Sequence, residues 1–257
     1  GGGTGVTQRA PLADVEREAL QVVEAARVDG FPVRILGGVA IGILARQPLP
    51  ERLRRTYADI DLAVGRADGG RARSVLTALG YEADRGFNSL HGSRRLLFYD
   101  TVNARRIDVF VGVFKMCHEL GLTDRLDLVP TTLSPADLLL TKLQIVELNR
   151  KDLIDVVTLL HVCAIGDRPG VDMIDLPRLE LVTGADWGWH TTLIDNLERV
   201  SAATAELLTE DDAAVVRNRV QEIRHAIQLA PKSLGWKVRA RVGRRMQWYE
   251  LPEEVAT

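Results

Sequence analysis

Three carboxylates and a pair of glycines are the residues whose types and spacing could do chemistry in this chain. Asp59 and Asp61 flank Ile60 in the run D-I-D-L-A-V. On a β-strand, residues i and i+2 share a face, about 7 Å apart at the Cα level, while Ile60, Leu62 and Val64 turn to the opposite face and into a core. Two acids on one face repel each other unless a divalent cation lies between them, and Mg2+ (or Mn2+) takes hard oxygen ligands of this kind. A D-x-D triplet arises by chance in a chain rich in aspartate, so its company matters. Asp108 interrupts the apolar run R-I-D-V-F-V at 106–111, and a lone carboxylate inside a strand needs a reason. If that strand pairs with the D-I-D strand, three carboxylates converge, as metal-assisted phosphoryl transfer requires. Upstream, Gly37-Gly38 falls where a strand gives way to a helix. Bare N–H groups at a helix N-terminus suit a phosphate chain.

The elements that must position these groups follow from periodicity. Apolar residues at helical spacing predict a helix over 12–29, ending at Asp29-Gly30. Val33 to Leu36 reads as a strand, Val39 to Ala45 as a short helix, and 69–79 as a helix closed by Gly80. The runs 96–99 and 106–111, separated by D-T-V-N-A-R, predict a hairpin. The character changes near residue 131. Beyond Pro130 the pattern is almost purely helical, with helices expected over 134–148, 151–165, 190–208 and 211–229. Ser134 is an N-cap with Pro135 at the first helical position. The expected class is α+β: a small mixed β-sheet domain with helices over 1–131, followed by a mainly helical C-terminal domain over 132–257. The opening G-G-G-T-G reads as a flexible lead-in.

The glycine pair, the run R-R-T-Y-A-D-I-D-L at 54–62 and R-I-D-V-F together resemble the nucleotidyltransferase superfamily of the DNA polymerase β type. The resemblance implies that Gly37 and Gly38 hold nucleotide phosphates, that Asp59, Asp61 and Asp108 together bind divalent metal, and that Asp108, completing the site, helps deprotonate the acceptor hydroxyl. Two departures stand out. Twenty residues separate Gly38 from Asp59, and position 38 is Gly rather than Ser. The basic, proline-bearing insertion between them is similar to that of the AbiEii-like branch. The helical half carries the same likeness. Lys142 lies four residues after Leu138 and four before Val146 on an apolar stripe, where a lysine is costly unless its ammonium reaches anions. Asp152 and Asp155 follow as i, i+3 neighbours in K-D-L-I-D. Toxin-like members of the AbiEii and MenT kind carry a similar lysine and a downstream K/R-D-x-x-D. The likeness implies that Lys142 meets the triphosphate, and that Asp152 or Asp155 assists the acceptor or holds the lysine. It covers roughly residues 30–165.

Composition bounds the alternatives. The chain has 257 residues, 35 acids against 33 bases and 46% hydrophobic residues, which is average for a globular protein and excludes a uniformly basic nucleic-acid binder. Cys117 and Cys163 have no metal-ligand spacing, so a disulfide scaffold or zinc ribbon is not expected and a reducing cytoplasm is. The longest apolar stretch, Ile35 to Ala45, falls short of a membrane span. G-G-V-A-I-G lacks both the G-x-G-x-x-G order and a P-loop Lys-Ser/Thr. Two basic segments could meet a polyanion: Arg52, Arg54 and Arg55 before the D-I-D run, and 232–245, where Lys237, Arg239 and Arg241 alternate with apolar residues in a strand-like rhythm. The expected activity is Mg2+-dependent transfer of an NMP from an NTP to an acceptor hydroxyl. By resemblance the acceptor is an RNA or tRNA 3′ end, with a cognate antitoxin as partner. A small hydroxylated molecule such as an antibiotic, or a protein side chain, is the alternative acceptor. The rival from another class is a non-catalytic binding module, an antitoxin or regulatory protein that keeps the fold.

Overall fold

A computed structural model describes residues 10–251. The glycine-rich lead-in lies outside the described residues. The described residues form two compact units, one of 10–39, 56–113 and 121–132, the other of 40–55, 114–120 and 133–251.

In the first unit, helix α1 (Val15–Val28) starts at Asp14, whose side chain accepts from Arg17 N, and buries Ala19, Val22 and Ala26. Strand β1 (Val33–Leu36) runs directly into α2 (Gly37–Leu44), so the glycine pair opens the helix rather than preceding it. Then come β2 (Ile60–Val64), α3 (Gly69–Ala78), β3 (Glu82–Ala83), α4 (Arg85–His91), β4 (Arg95–Asp100) and β5 (Arg105–Val111). The five strands make one mixed sheet in the order β1-β2-β5-β4-β3. β4 and β5 are the expected antiparallel hairpin. β2 and β5 are parallel neighbours, a pairing that requires a long crossover, and α3, β3, α4 and β4 supply it. Ile35, Ile60, Leu62, Phe98, Ile107 and Val109 are fully or almost fully buried, which ties the register down, because a one-residue slip would turn this set to the other face.

The short strands β6 (Val113–Lys115) and β7 (Glu119–Gly121) follow as a two-stranded sheet. In the second unit, α5 (Pro135–Leu143) has the expected Ser134 cap, which accepts from Asp137 N. It stops five residues earlier than the apolar spacing predicts. The Asn196 side-chain amide donates to Leu143 O (2.7 Å) and Ile145 O (2.8 Å), so carbonyls at the helix end are satisfied without another turn. Buried Gln144 turns its Oε1 to Met116 N and His118 N. The unit continues with α6 (Arg150–Val162), the parallel strands β8 (Ala164–Gly166) and β9 (Met173–Asp175), α7 (Leu176–Ala185), α8 (Trp187–Leu207), α9 (Glu210–Leu229) and α10 (Leu234–Val242). β8 and β9 correct the almost purely helical expectation, and α7 is a helix that the periodicity did not place. A second correction concerns 237–242, which is helical despite its two-residue rhythm. Ser233 caps it by accepting from Trp236 N, and α10 has no buried residue, so alternation there records no buried face. Among the described residues no helix is long and apolar enough to cross a membrane.

Candidate active site

The parallel pairing of β2 with β5 brings the carboxylates together. Its register sets Asp61 opposite Asp108. Paired residues on adjacent strands stand roughly 4.8 Å apart and share a face. Asp59 lies one residue before β2 rather than on it, a correction to the D-x-D strand expectation. Its place is set instead by β5, because Arg106 N donates to Asp59 Oδ1 at 3.1 Å. The Arg106 guanidinium is 4.0 Å from both Asp59 and Asp108. The environments differ sharply: the Asp59 side chain is 46% exposed and that of Asp108 is 3% exposed.

Asp108 has the reason that a buried strand carboxylate requires, and it is a residue the sequence reading missed. Arg95, on neighbouring β4, donates from Nε to Oδ1 and from Nη2 to Oδ2, both at 2.6 Å. Parallel two-pronged bonds of this kind are the strongest way to hold a carboxylate. Phe87 and Phe110 lie 5.7 and 5.2 Å from the guanidinium carbon and fix its plane. The signal was present as an arginine opening the apolar run R-L-L-F-Y, two residues off the partner of Asp108. Among the described residues no three His, Cys, Asp or Glu side chains form a ready-made cation cage. Arginine meets at least two of the three acids: Arg95 grips Asp108, and Arg106 lies beside Asp59.

The glycines are explained by what lies against them. Gly37 has φ +67°, a backbone shape that L side chains rarely adopt. A Cβ there would fall inside the van der Waals envelope of Asp61 Oδ2 and stand 3.1 Å from its Cγ. The missing side chain therefore makes room for the Asp61 carboxylate. At Gly38 a Cβ would run into the ring of Tyr57. Tyr57, also missed in the sequence, accounts for Gly rather than Ser at that position.

The remaining candidates lie in the second unit and sort differently. The Lys142 ammonium is 2.8 Å from Asp152 Oδ1 and 2.9 Å from Asp155 Oδ2, so both aspartates hold it. Burial alone would push this lysine down. Asp155 and then Asp152 outweigh it, and the ammonium is held above its usual range. Asp152 is placed by the cap of α6, where Asn149 accepts from its N–H, and Asp155 is 1% exposed. Arg55 also pairs with Asp155 and donates to Lys151 O at 3.0 Å. Arg52 donates to Glu206 O, and Arg54 donates to Leu49 O at 3.0 Å. Arg239 turns back on Gly243 O and Met246 O and lies over the Trp187 ring. Lys237 and Arg241 stand exposed on α10. Trp248 packs edge-on against Trp187, and its indole N–H donates to Thr192.

Residues 12–143, just over half of the chain, match the family model described as uncharacterised nucleotidyltransferase. The matched span contains both glycines, all three carboxylates and Lys142. No curated protein and no solved structure shows a significant match. A mixed sheet that sets Asp61 beside Asp108 and opens a helix at Gly37 is thus the core of the matched region, and the chain belongs to this nucleotidyltransferase family.

Proposed function

We propose that the protein transfers an NMP from an NTP to the 3′ hydroxyl of an RNA such as tRNA, with Mg2+ or Mn2+ held by Asp59 and Asp61. The observation that carries this reading is the in-register pairing of Asp61 with Asp108 beside the Gly37 entrance to α2. The donor set fits a hard divalent cation, because it consists of carboxylate oxygens with at least one acid solvent-accessible. When bound, such a cation neutralises charge on the phosphates undergoing transfer. The chain's own groups do the rest. Gly37 leaves Asp61 its position. Asp108 takes the proton of the acceptor hydroxyl, since a carboxylate bonded once at each oxygen still offers lone pairs. The acceptor oxygen then bonds to the α-phosphorus as the bridge to the β-phosphate breaks, and pyrophosphate leaves. Within the second unit, Asp152 and Asp155 keep the Lys142 ammonium charged, as a phosphate-binding cation requires.

The AbiEii/MenT-like branch, with its RNA acceptor and cognate antitoxin, is supported by the K-D-x-x-D segment whose acids both grip Lys142. It is further supported by the exposed cations of α10, which suit a phosphate backbone. The test is incubation with total tRNA and each α-labelled NTP in Mg2+. Label should enter RNA with the wild type and be lost in Asp61→Ala, with an unchanged circular dichroism spectrum. Undiminished transfer by Asp61→Ala refutes the assignment. Label entering a small hydroxylated compound but no RNA moves the acceptor to that class.

A further inference from the structure

Residues 231–249 hold six basic residues and no acid, and the structure sorts those six into two sets. Lys232, Arg239 and Arg244 are committed within the second unit. Lys232 donates to Ile227 O and lies over the Trp236 ring. Arg239 donates to Gly243 O and Met246 O, and Arg244 pairs with Asp195 at 2.7 Å. Lys237, Arg241 and Arg245 stand exposed, and among the described residues no carboxylate pairs with them. With about 3.6 residues per turn, Lys237 and Arg241 share one face of α10 with Leu234 and Val238. The opposite face packs on α8, where Trp236 meets His190 edge-on at 5.3 Å and Arg239 lies 4.8 Å from the Trp187 ring. Arg245 follows in the 3-10 turn Gly243–Arg245. Leu234 is 82% exposed and Val238 63%, whereas an ordinary solvated helix face is polar. The segment is anchored at its end, because Glu250 N donates to Cys117 O at 3.0 Å and Lys115 pairs with Glu250 at 2.8 Å. Between anchor and turn, Tyr249 is half-buried, edge-on to Trp248 at 5.4 Å.

We propose that this surface of the second unit binds single-stranded RNA, with Lys237, Arg241 and Arg245 on phosphates and Tyr249 against a base. It deepens the reading above, on which it rests, by naming where an RNA acceptor is held. The cores of protein–protein interfaces are depleted of lysine and of charge in general, so three unmatched cations beside two aliphatic side chains suit a different partner. A nucleic acid combines a continuous run of negative charge with apolar base faces. A duplex stacks those faces on one another, while a single strand offers them to side chains such as Tyr249, Leu234 and Val238. Arg239, which the sequence rhythm groups with Lys237 and Arg241, is spent on backbone carbonyls, and Arg245 takes its place.

The experiment is fluorescence anisotropy with a fluorescein-labelled single-stranded RNA of mixed sequence and a duplex of the same length. It is run in EDTA without NTP, from about 50 to 200 mM salt. Each single-strand phosphate contact adds about 0.7 to the slope of log affinity against log salt. The triple variant Lys237→Gln/Arg241→Gln/Arg245→Gln should therefore lose about 2 from that slope and bind about a hundredfold more weakly at about 0.1 M salt. Tyr249→Ala should bind about tenfold more weakly with the slope kept, and Tyr249→Phe should bind as the wild type does. The duplex should bind more weakly than the single strand. A wild-type slope in the triple variant overturns the proposal. So does a duplex bound as tightly as the single strand, or undiminished binding by Tyr249→Ala. Should either variant fail to fold by circular dichroism, the other decides. Wild-type protein that ignores RNA but sediments with phosphatidylserine vesicles gives the surface to a membrane and also overturns it. Because neither NTP nor divalent cation is present, RNA that is bound as expected but never labelled in the transfer assay refutes NMP transfer and upholds this surface.

Discussion

A single methyl group at Gly37 should separate catalysis from stability. Gly37→Ala places a Cβ where Asp61 Oδ2 now lies, 3.1 Å from Cγ and 3.3 Å from the Asp61 Cβ. Ordinary carbon–oxygen contact requires the carboxylate to retreat by roughly an ångström. Displacement of that size in a group that must align reactants costs about a hundredfold in rate. The backbone contributes separately, because alanine at φ +67° is strained by about 1–2 kcal/mol. That is a small fraction of the roughly 5–15 kcal/mol that holds a domain together, so the variant should stay folded. The assay is single-turnover transfer of α-labelled NMP, run beside urea denaturation. The expected result is about a hundredfold slower transfer with about 1–2 kcal/mol lost in stability. Gly70→Ala is the control, since Gly70 lies in α3 with nothing within 4 Å of a new Cβ. It should be neutral, or stabilising by up to about 1 kcal/mol. Wild-type transfer by Gly37→Ala would refute the claim that this glycine exists to seat Asp61.

Two further outcomes follow from the second unit. Lys142→Ala leaves Asp155 buried with Arg55 still beside it, so urea unfolding should show a loss of about 3 kcal/mol, the low end for breaking a buried pair. A loss below about 1 kcal/mol would mean that the cluster is not tightly coupled. Acid stability should depend on two histidines. Burial brings His118 down to about 4, with Asp186 opposing, and brings His190 to about 4, with Lys232 adding to the effect. Unfolded, each takes its proton near the ordinary value of 6.5. Between those pH values the unfolded chain binds more protons. The contribution is therefore complete above about 6.5 and is lost as pH falls toward 4, by at most about 1.4 kcal/mol per pH unit per histidine. His118→Gln should flatten the fall of melting temperature between pH 6.5 and 4, and an unchanged slope would show that His118 is not buried neutral.

Much of the fold was legible because the relevant signals are local. Strand β1, the β4–β5 hairpin, α3 and the Ser134 cap of α5 each follow from residues within a few positions of one another. Where the signal needed a distant partner, local reading failed. The apolar stripe ran on past Leu143, yet Asn196, 53 positions away, captures that carbonyl and ends α5. The rhythm of 237–242 suggested a strand, but among the described residues no sheet includes it and the Ser233 cap wins.

The candidate site divides in the same way. Residue type and spacing singled out Asp108 and Lys142, because a carboxylate or lysine at an apolar position is anomalous wherever the chain goes, and the resemblance joined Gly37, Gly38, Asp59 and Asp61 to them. Only tertiary structure decided what each of them meets. The parallel register puts Asp61 beside Asp108, and Arg106 anchors Asp59 across 47 positions. Arg95 occupies Asp108, Tyr57 fills the space over Gly38, and Arg55 reaches Asp155 across 100 positions. The physical reason is that burial penalties are written into a residue's own neighbourhood, whereas charge pairing and strand register depend on segments that become neighbours only when the core closes.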